Sequence, residues 1–138
     1  MIFYDRTDVL VGSVHVDPGA GWFPHFLGFA DETGGGANKN LPLAPGTGDD
    51  AWLDAVTELA TWTEREAATS LVVPLGVDAA AGDPESPLDV TAAGFRQAGR
   101  VLGALELPTV LVQEGGYDLA ALGPLVREVL LGFEEGAA

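Results

Sequence analysis

The chain has 138 residues, 47% of them hydrophobic and 20% charged, a composition that suits one packed domain and argues against wholesale disorder. Its 21 Asp and Glu outnumber 6 Lys and Arg, which disfavours binding to nucleic acid phosphates or an anionic membrane and leaves cationic ligands or plain solubility. With no cysteine there is no disulfide, thiolate metal site or Cys nucleophile, and two histidines leave little for base or metal chemistry.

Asp8–Val16 is a valine-rich apolar run that reads as a buried strand. A Gly-, Pro- and aromatic-rich stretch follows from Asp17 to Gly36; Trp22, Phe23, Phe26 and Phe29 favour an ordered loop. Asn38–Leu43 suits a short strand. A helix is expected from about Asp49 to Ala68, with Thr47 and Asp50 as a weak capping pair and Trp52, Val56, Leu59, Ala60 and Thr63 on one face. Ser70–Leu75 is the next strand, with Pro74 fitting best near its end. A second loop covers Gly76–Leu88, and a helix is expected over Thr91–Leu105. Pro108–Val112 is a buried strand and Gln113–Tyr117 a Gly-Gly turn. The last helix runs from Asp118 or Ala121 to Phe133, with Pro124 tolerable only in its first turn.

Short valine-rich strands alternating with helices predict an α/β fold, its parallel sheet covered on both faces. Right-handed crossovers would set the strands side by side, and ligands bind beyond their carboxyl ends. The loops leaving those ends carry His15 and Asp17, then Asp78 and Asp83, then Glu114, Gly115, Gly116 and Tyr117. This gathering of polar residues on one edge is the main pointer to a site.

Asp78 can ligate a metal or act as a base, or simply cap its loop. Tyr117 can donate to an oxyanion, or pack on the following helix. Asp83-Pro84 reads as a turn starter, and Glu114 as an acceptor for backbone N–H groups in its turn. His15 and Asp17 have ligand-like types at spacing two, yet a His leaving a strand is more often a hydrogen-bonded structural residue. His25 suits packing or surface; Trp22 and Phe23 suit a core or an apolar channel. No dinucleotide, phosphate-loop or serine-hydrolase motif is present.

Four segments in this order resemble a known family: Ser13-Val14-His15-Val16-Asp17-Pro18, Phe23-Pro24-His25-Phe26-Leu27-Gly28, Leu75-Gly76-Val77-Asp78 with Gly82-Asp83-Pro84, and Gln113-Glu114-Gly115-Gly116-Tyr117. Together they resemble the C-terminal half of a zinc-dependent deacetylase of the histone deacetylase superfamily, in its acetylpolyamine amidohydrolase-like branch. The resemblance spans about Phe3 to Phe133 and implies a partial arginase-like three-layer α/β fold, with residues 1–138 as the C-terminal part of the domain. It implies that Asp78 is a zinc ligand, Tyr117 the oxyanion donor, Gly115 and Gly116 the acyl-tunnel floor and Phe23 a tunnel wall. Ser13 and Val14 would contribute to a potassium site, and the carbonyls of Phe3, Arg6 and Val9 to a second. The implied reaction is metal-assisted hydrolysis of an acetylated cationic small molecule or acetyl-lysine to acetate and a free amine, with a His pair as base and acid.

The family's Asp-x-His ligand segment and tandem-His base have no counterpart here, and His15 and His25 do not match them. One expectation is therefore a deacetylase by lineage, inactive on this chain alone and finished by a completing chain. The other is a non-catalytic remnant that binds a partner or oligomerises. An exposed sheet edge would make the chain dimeric, aggregation-prone or marginally stable. With no apolar run near the ~18 residues of a membrane span and no secretory-signal layout at Met1, a cytoplasmic location is expected.

Overall fold

The first strand, β1 (Val11–Val16), begins three residues inside its apolar run, because its ladder starts only where a partner is available. That partner is β2 (Asn38–Leu43), parallel to it from Val11↔Asn38 to Val16↔Leu43, and the Val11 N–H donates to the Ala37 carbonyl just below (2.8 Å). The computed structural model describes residues 2–138.

The long connection between these strands is ordered by polar tethers more than by its aromatics. Asn40 Nδ2 donates to the Phe29 carbonyl (3.1 Å), Asn38 Nδ2 to that of Glu32, and the Gly28 N–H to Glu32 Oε2 (2.7 Å). Trp22 packs against the core, whereas Phe23 and Phe26 are exposed.

Helix α1 (Asp49–Arg65) stops short of Ala68, its exit turned by Ala67 at φ 53°. The expected Thr47–Asp50 capping pair does not form. Thr47 Oγ1 donates to the Ala44 carbonyl within its own turn (2.7 Å), and the N-cap is Gly48. Asp49 instead accepts from the Thr91 N–H (2.7 Å) and Oγ1 (2.6 Å), tying the start of α1 to the N-cap of α2 (Ala92–Gly103).

Strand β3 (Leu71–Leu75) pairs in parallel with β4 (Thr109–Gln113), from Leu71↔Thr109 to Leu75↔Gln113. Pro74 is its penultimate residue, in a strand laddered on one side only, the setting in which a strand tolerates proline. Helix α3 (Leu119–Gly136) carries Pro124 beyond its first turn and still continues. Asp118 secures the start of that helix, its carboxylate accepting from the N–H groups of Ala120 (2.9 Å) and Ala121 (3.4 Å).

The strands do not lie side by side in one sheet. Among the described residues they form two parallel pairs, β1–β2 and β3–β4, with no ladder between them. One apolar core still serves both: Val14, Val16, Leu43, Val73, Leu75 and Leu111 meet Trp52 of α1, Phe95 and Ala98 of α2, and Leu125 and Val129 of α3. The helices therefore share one side of the strands, and the expected cover on both faces is absent from β3–β4. There the alternate residues Val72, Val110 and Val112 are 64%, 58% and 50% exposed.

Glycine sets the helix spacing. Gly99 and Gly103 of α2 lie against the Val129 and Phe133 carbonyls of α3, while Gly132 and Gly136 of α3 lie against those of Arg96 and Arg100. Arg96 clamps the rim, pairing with Glu128 (2.7 Å) and Glu135.

Candidate functional site

The loops leaving β3 and β4 are stitched to each other. The Glu114 N–H donates to the Leu75 carbonyl (2.9 Å) and the Val77 N–H to that of Gly115 (3.0 Å), extending the β3–β4 ladder past both strand ends. Gln113 turns its side-chain amide onto the Glu114 and Gly115 carbonyls (3.0 and 3.2 Å).

Asp78 lies on this stitched platform, between two glycines whose missing side chains make its room. A Cβ on Gly115 would stand 2.5 Å from Asp78 Oδ1, and one on Gly76 would collide with the same oxygen. Gly116, at φ 131°, would place a Cβ 2.6 Å from Val77 Cγ2. The carboxyl of Asp78 is pushed above the usual carboxylate range, first by burial and then by the negative charges of Asp83 and Glu114. No Lys or Arg is paired with it among the described residues.

Tyr117 follows the two glycines and is 55% exposed. Its backbone N–H is held by Asp83 Oδ2 (2.8 Å), which also accepts from the Asp118 N–H (3.3 Å). Asp83 Oδ1 accepts from the Glu85 N–H (2.9 Å), the turn-starting bond expected of Asp-Pro. The bond from Asp83 to Tyr117 spans 34 positions, and no local pattern announces it.

The remaining candidates lie in or after β1. Ser13 and His15 are joined, Oγ to Nδ1 (2.8 Å), and His15 Nε2 lies 2.9 Å from the Gly28 carbonyl. A carbonyl only accepts, so Nε2 carries the proton and Nδ1 accepts from the Ser13 hydroxyl. Both ring nitrogens are thus engaged, which makes His15 a strut for the loop. Val14 is half-buried and packs toward the core. Asp17 caps the short turn Pro18–Ala20 through the Gly19 N–H (2.8 Å). Phe23 is 77% exposed and meets His25 edge-on at 6.3 Å.

Among the described residues no three His, Asp or Glu side chains converge as a metal requires. Asp78 stands there as a single donor, without two further His, Asp or Glu side chains beside it among the described residues. Two surface hollows, one beside Gly48–Ala51 and Thr91 and one between β2 and α1, include neither Asp78 nor Tyr117.

The histone deacetylase domain matches residues 1–133. The chain belongs to the histone deacetylase family. It is 42% identical over 136 residues to the acetylpolyamine amidohydrolase of Burkholderia pseudomallei and 42% identical over 141 residues to acetylpolyamine amidohydrolase 1 of Pseudomonas aeruginosa. These matches take in 96% and 99% of the chain but 40% of each relative. The crystal structure of the Burkholderia acetylpolyamine aminohydrolase superposes with a TM-score of 0.93 at 41% identity, over 98% of this chain and 40% of that one. The structure of the histone deacetylase Clr3 superposes with a TM-score of 0.86 at 26% identity. The chain therefore spans about 40% of the length of these amidohydrolases and holds the fold they share, as a partial α/β deacetylase fold. No helix among the described residues is long and apolar enough to cross a membrane.

Proposed function

We propose that this deacetylase-family chain, as the C-terminal part of the domain, carries one side of a site that hydrolyses an acetylated amine, an acetylpolyamine or acetyl-lysine, to acetate and the free amine. The observation that carries this reading is the juncture of the Asp78 and Tyr117 loops at the ends of β3 and β4, stitched by backbone bonds and floored by Gly76 and Gly115. Asp78, pushed up by burial and lacking a cationic partner, is a carboxylate that a cation would relieve. Zinc held there with donors from outside this chain would polarise the acetyl carbonyl and acidify a water. Tyr117, exposed and fixed by its backbone, would donate its hydroxyl to the oxyanion. Gly115 and Gly116 would leave room for the acyl chain. Phe23 would wall the acyl tunnel once the domain is complete.

A potassium ion near Ser13 and Val14 belongs to the same proposal: the Ser13 hydroxyl donates its hydrogen bond to His15 and keeps lone pairs for a cation. The net charge of −15 favours cationic acetylpolyamines over neutral amides, and the working location is the cytoplasm. On its own, the chain is silent.

The test is a graft. This chain replaces the matching 40% of the Burkholderia amidohydrolase, and hydrolysis of an acetylated diamine is measured with bound zinc. Turnover that falls at least ~100-fold in Tyr117→Phe, the scale of losing one oxyanion donor, supports the reading. A graft that binds zinc yet gives no turnover overturns it. Zinc bound tightly by the ungrafted chain, with turnover, overturns its silence.

A second reading has its own observation. The bare Val72, Val110 and Val112 face and the open edges of two unjoined strand pairs suit a binding or oligomerisation module. A stable monomer in sedimentation at micromolar concentration counts against it.

A further inference from the structure

Asp83 is the buried carboxylate of the described residues, 8% exposed, and it has no arginine or lysine partner. A buried anion needs compensation, and here backbone N–H groups supply it. Oδ1 accepts from Glu85 (2.9 Å), and Oδ2 accepts from Tyr117 (2.8 Å) and Asp118 (3.3 Å). Asp118 is also the N-cap of the 18-residue helix α3, so the charge sits beside that helix's positive end. The Asp83 N–H in turn donates to the Ala80 carbonyl (3.1 Å), which fixes the carboxylate within the loop that carries Asp78.

Tyr117 needs such a hold. Gly115 and Gly116 precede it, and the residue is more than half exposed, which leaves its backbone bond as the clearest local restraint. An amide at position 83 would not serve equally. Asn has one acceptor oxygen, and its NH2 would confront N–H donors.

We propose that Asp83 is the positioning residue for Tyr117, holding the Tyr117 and Asp118 amides so that the phenol is aimed relative to Asp78 by bonds within this chain. The proposal rests on Tyr117 as the oxyanion donor, but its test reads geometry and needs no turnover. A failed graft would leave the outcome of this test unchanged.

The chain contains two tyrosines, Tyr4 and Tyr117, so labelling with 3-fluorotyrosine gives one fluorine reporter at the site and one internal control. Tyr4 lies apart, its carbonyl accepting from the Gly35 N–H (3.2 Å). In Asp83→Asn the Tyr117 resonance shifts and broadens and the Tyr4 resonance stays. Hydrogen exchange of the Tyr117 and Asp118 amides quickens by roughly 10–100-fold, as expected for losing a bond to a charged acceptor, while Phe95 and Val129 amides hold their rates. A variant that alters only the Glu85 amide overturns the proposal, since Asp83 then serves its own turn alone. Should Asp83→Asn fail to fold, the wild-type chain decides. A Tyr117 amide protected beneath an exposed ring supports the proposal, and one exchanging as in an unstructured peptide overturns it.

Discussion

Gly132→Ala tests what spaces α2 from α3, and with it what seats α3 behind the Tyr117 loop. A Cβ at Gly132 would clash with the Arg96 carbonyl oxygen and lie 2.9 Å from that carbonyl carbon and 3.2 Å from the Arg100 nitrogen. All three are backbone atoms of α2, so relief requires the helices to part. Parting them also unseats Gly99, Gly103 and Gly136 and loosens the packing around Val129, which is 2% exposed. Overpacking of this kind costs about 3 kcal/mol, the upper end of the usual range, and alanine's better helix propensity returns about 1. The net loss of about 2 kcal/mol lowers Tm by roughly 6–10 °C for a chain this size. Gly123→Ala, in the same helix with nothing within 4 Å of its Cβ, is the control; it leaves Tm unchanged or raises it. Urea and thermal unfolding by circular dichroism give both values. Equal shifts for the two variants would refute the reasoning, because propensity alone would then account for each.

Asp78→Asn stabilises the chain at pH 7. A carboxyl whose folded pKa is raised destabilises the fold above that pKa, and the penalty fades as pH falls toward the unfolded value. The gain in urea midpoint therefore shrinks toward pH 3.5, and a pH-independent gain contradicts the burial argument. Val110→Lys with Val112→Lys converts self-associating chain to monomer in sedimentation while changing stability by less than about 1 kcal/mol, as both side chains are half-exposed or more; unchanged association would place the sticky surface elsewhere. Thr91→Val removes the hydroxyl bonded to Asp49 and Gly94 and costs about 1–2 kcal/mol in urea unfolding, and a neutral result would show that the α1–α2 corner is held by packing alone.

Elements that announce themselves through side-chain pattern were legible in the sequence. Valine runs located three of the four strands, apolar spacing located three helices, and the strand–helix alternation placed Asp78 and Tyr117 on neighbouring loops. What stayed hidden depends on partners far away in the chain. Asp-Pro at positions 83 and 84 speaks of its own turn, and nothing near it signals a bond to Tyr117. Gly99, Gly103, Gly132 and Gly136 dilute the apolar stripes that mark a core face, although their i, i+4 spacing on both helices was a readable sign of close approach. The division into two strand pairs has no local signature either, since an unpaired edge and a paired one carry the same valines. Pro124 misled in the other direction: its rule treats a helix in isolation, whereas Asp118 holds the first turn and Leu125 and Val129 bury the turns that follow.

These bonds separate two tasks that a complete site combines. The loops that carry Asp78 and Tyr117 are joined by contacts that begin and end inside the chain: Leu75 with Glu114, Val77 with Gly115, and Asp83 with Tyr117. A metal ligand set is not assembled in this way: among the described residues no three His, Asp or Glu side chains converge, and on the proposed reading the donors beyond Asp78 come from elsewhere. If these loops form one side of a site, as proposed, their organisation in advance has a thermodynamic consequence. Ordering the two loops costs conformational entropy that the fold of this chain has already met, so a completing segment would spend its binding free energy on docking and ligation. The cost left standing is the one at Asp78, a half-buried carboxylate near Asp83 and Glu114, and on the proposed reading a metal ion brought by the rest of the site would offset it. On the proposed reading, stability and function pull this residue in opposite directions, so the amide that strengthens the isolated chain should weaken the assembled site.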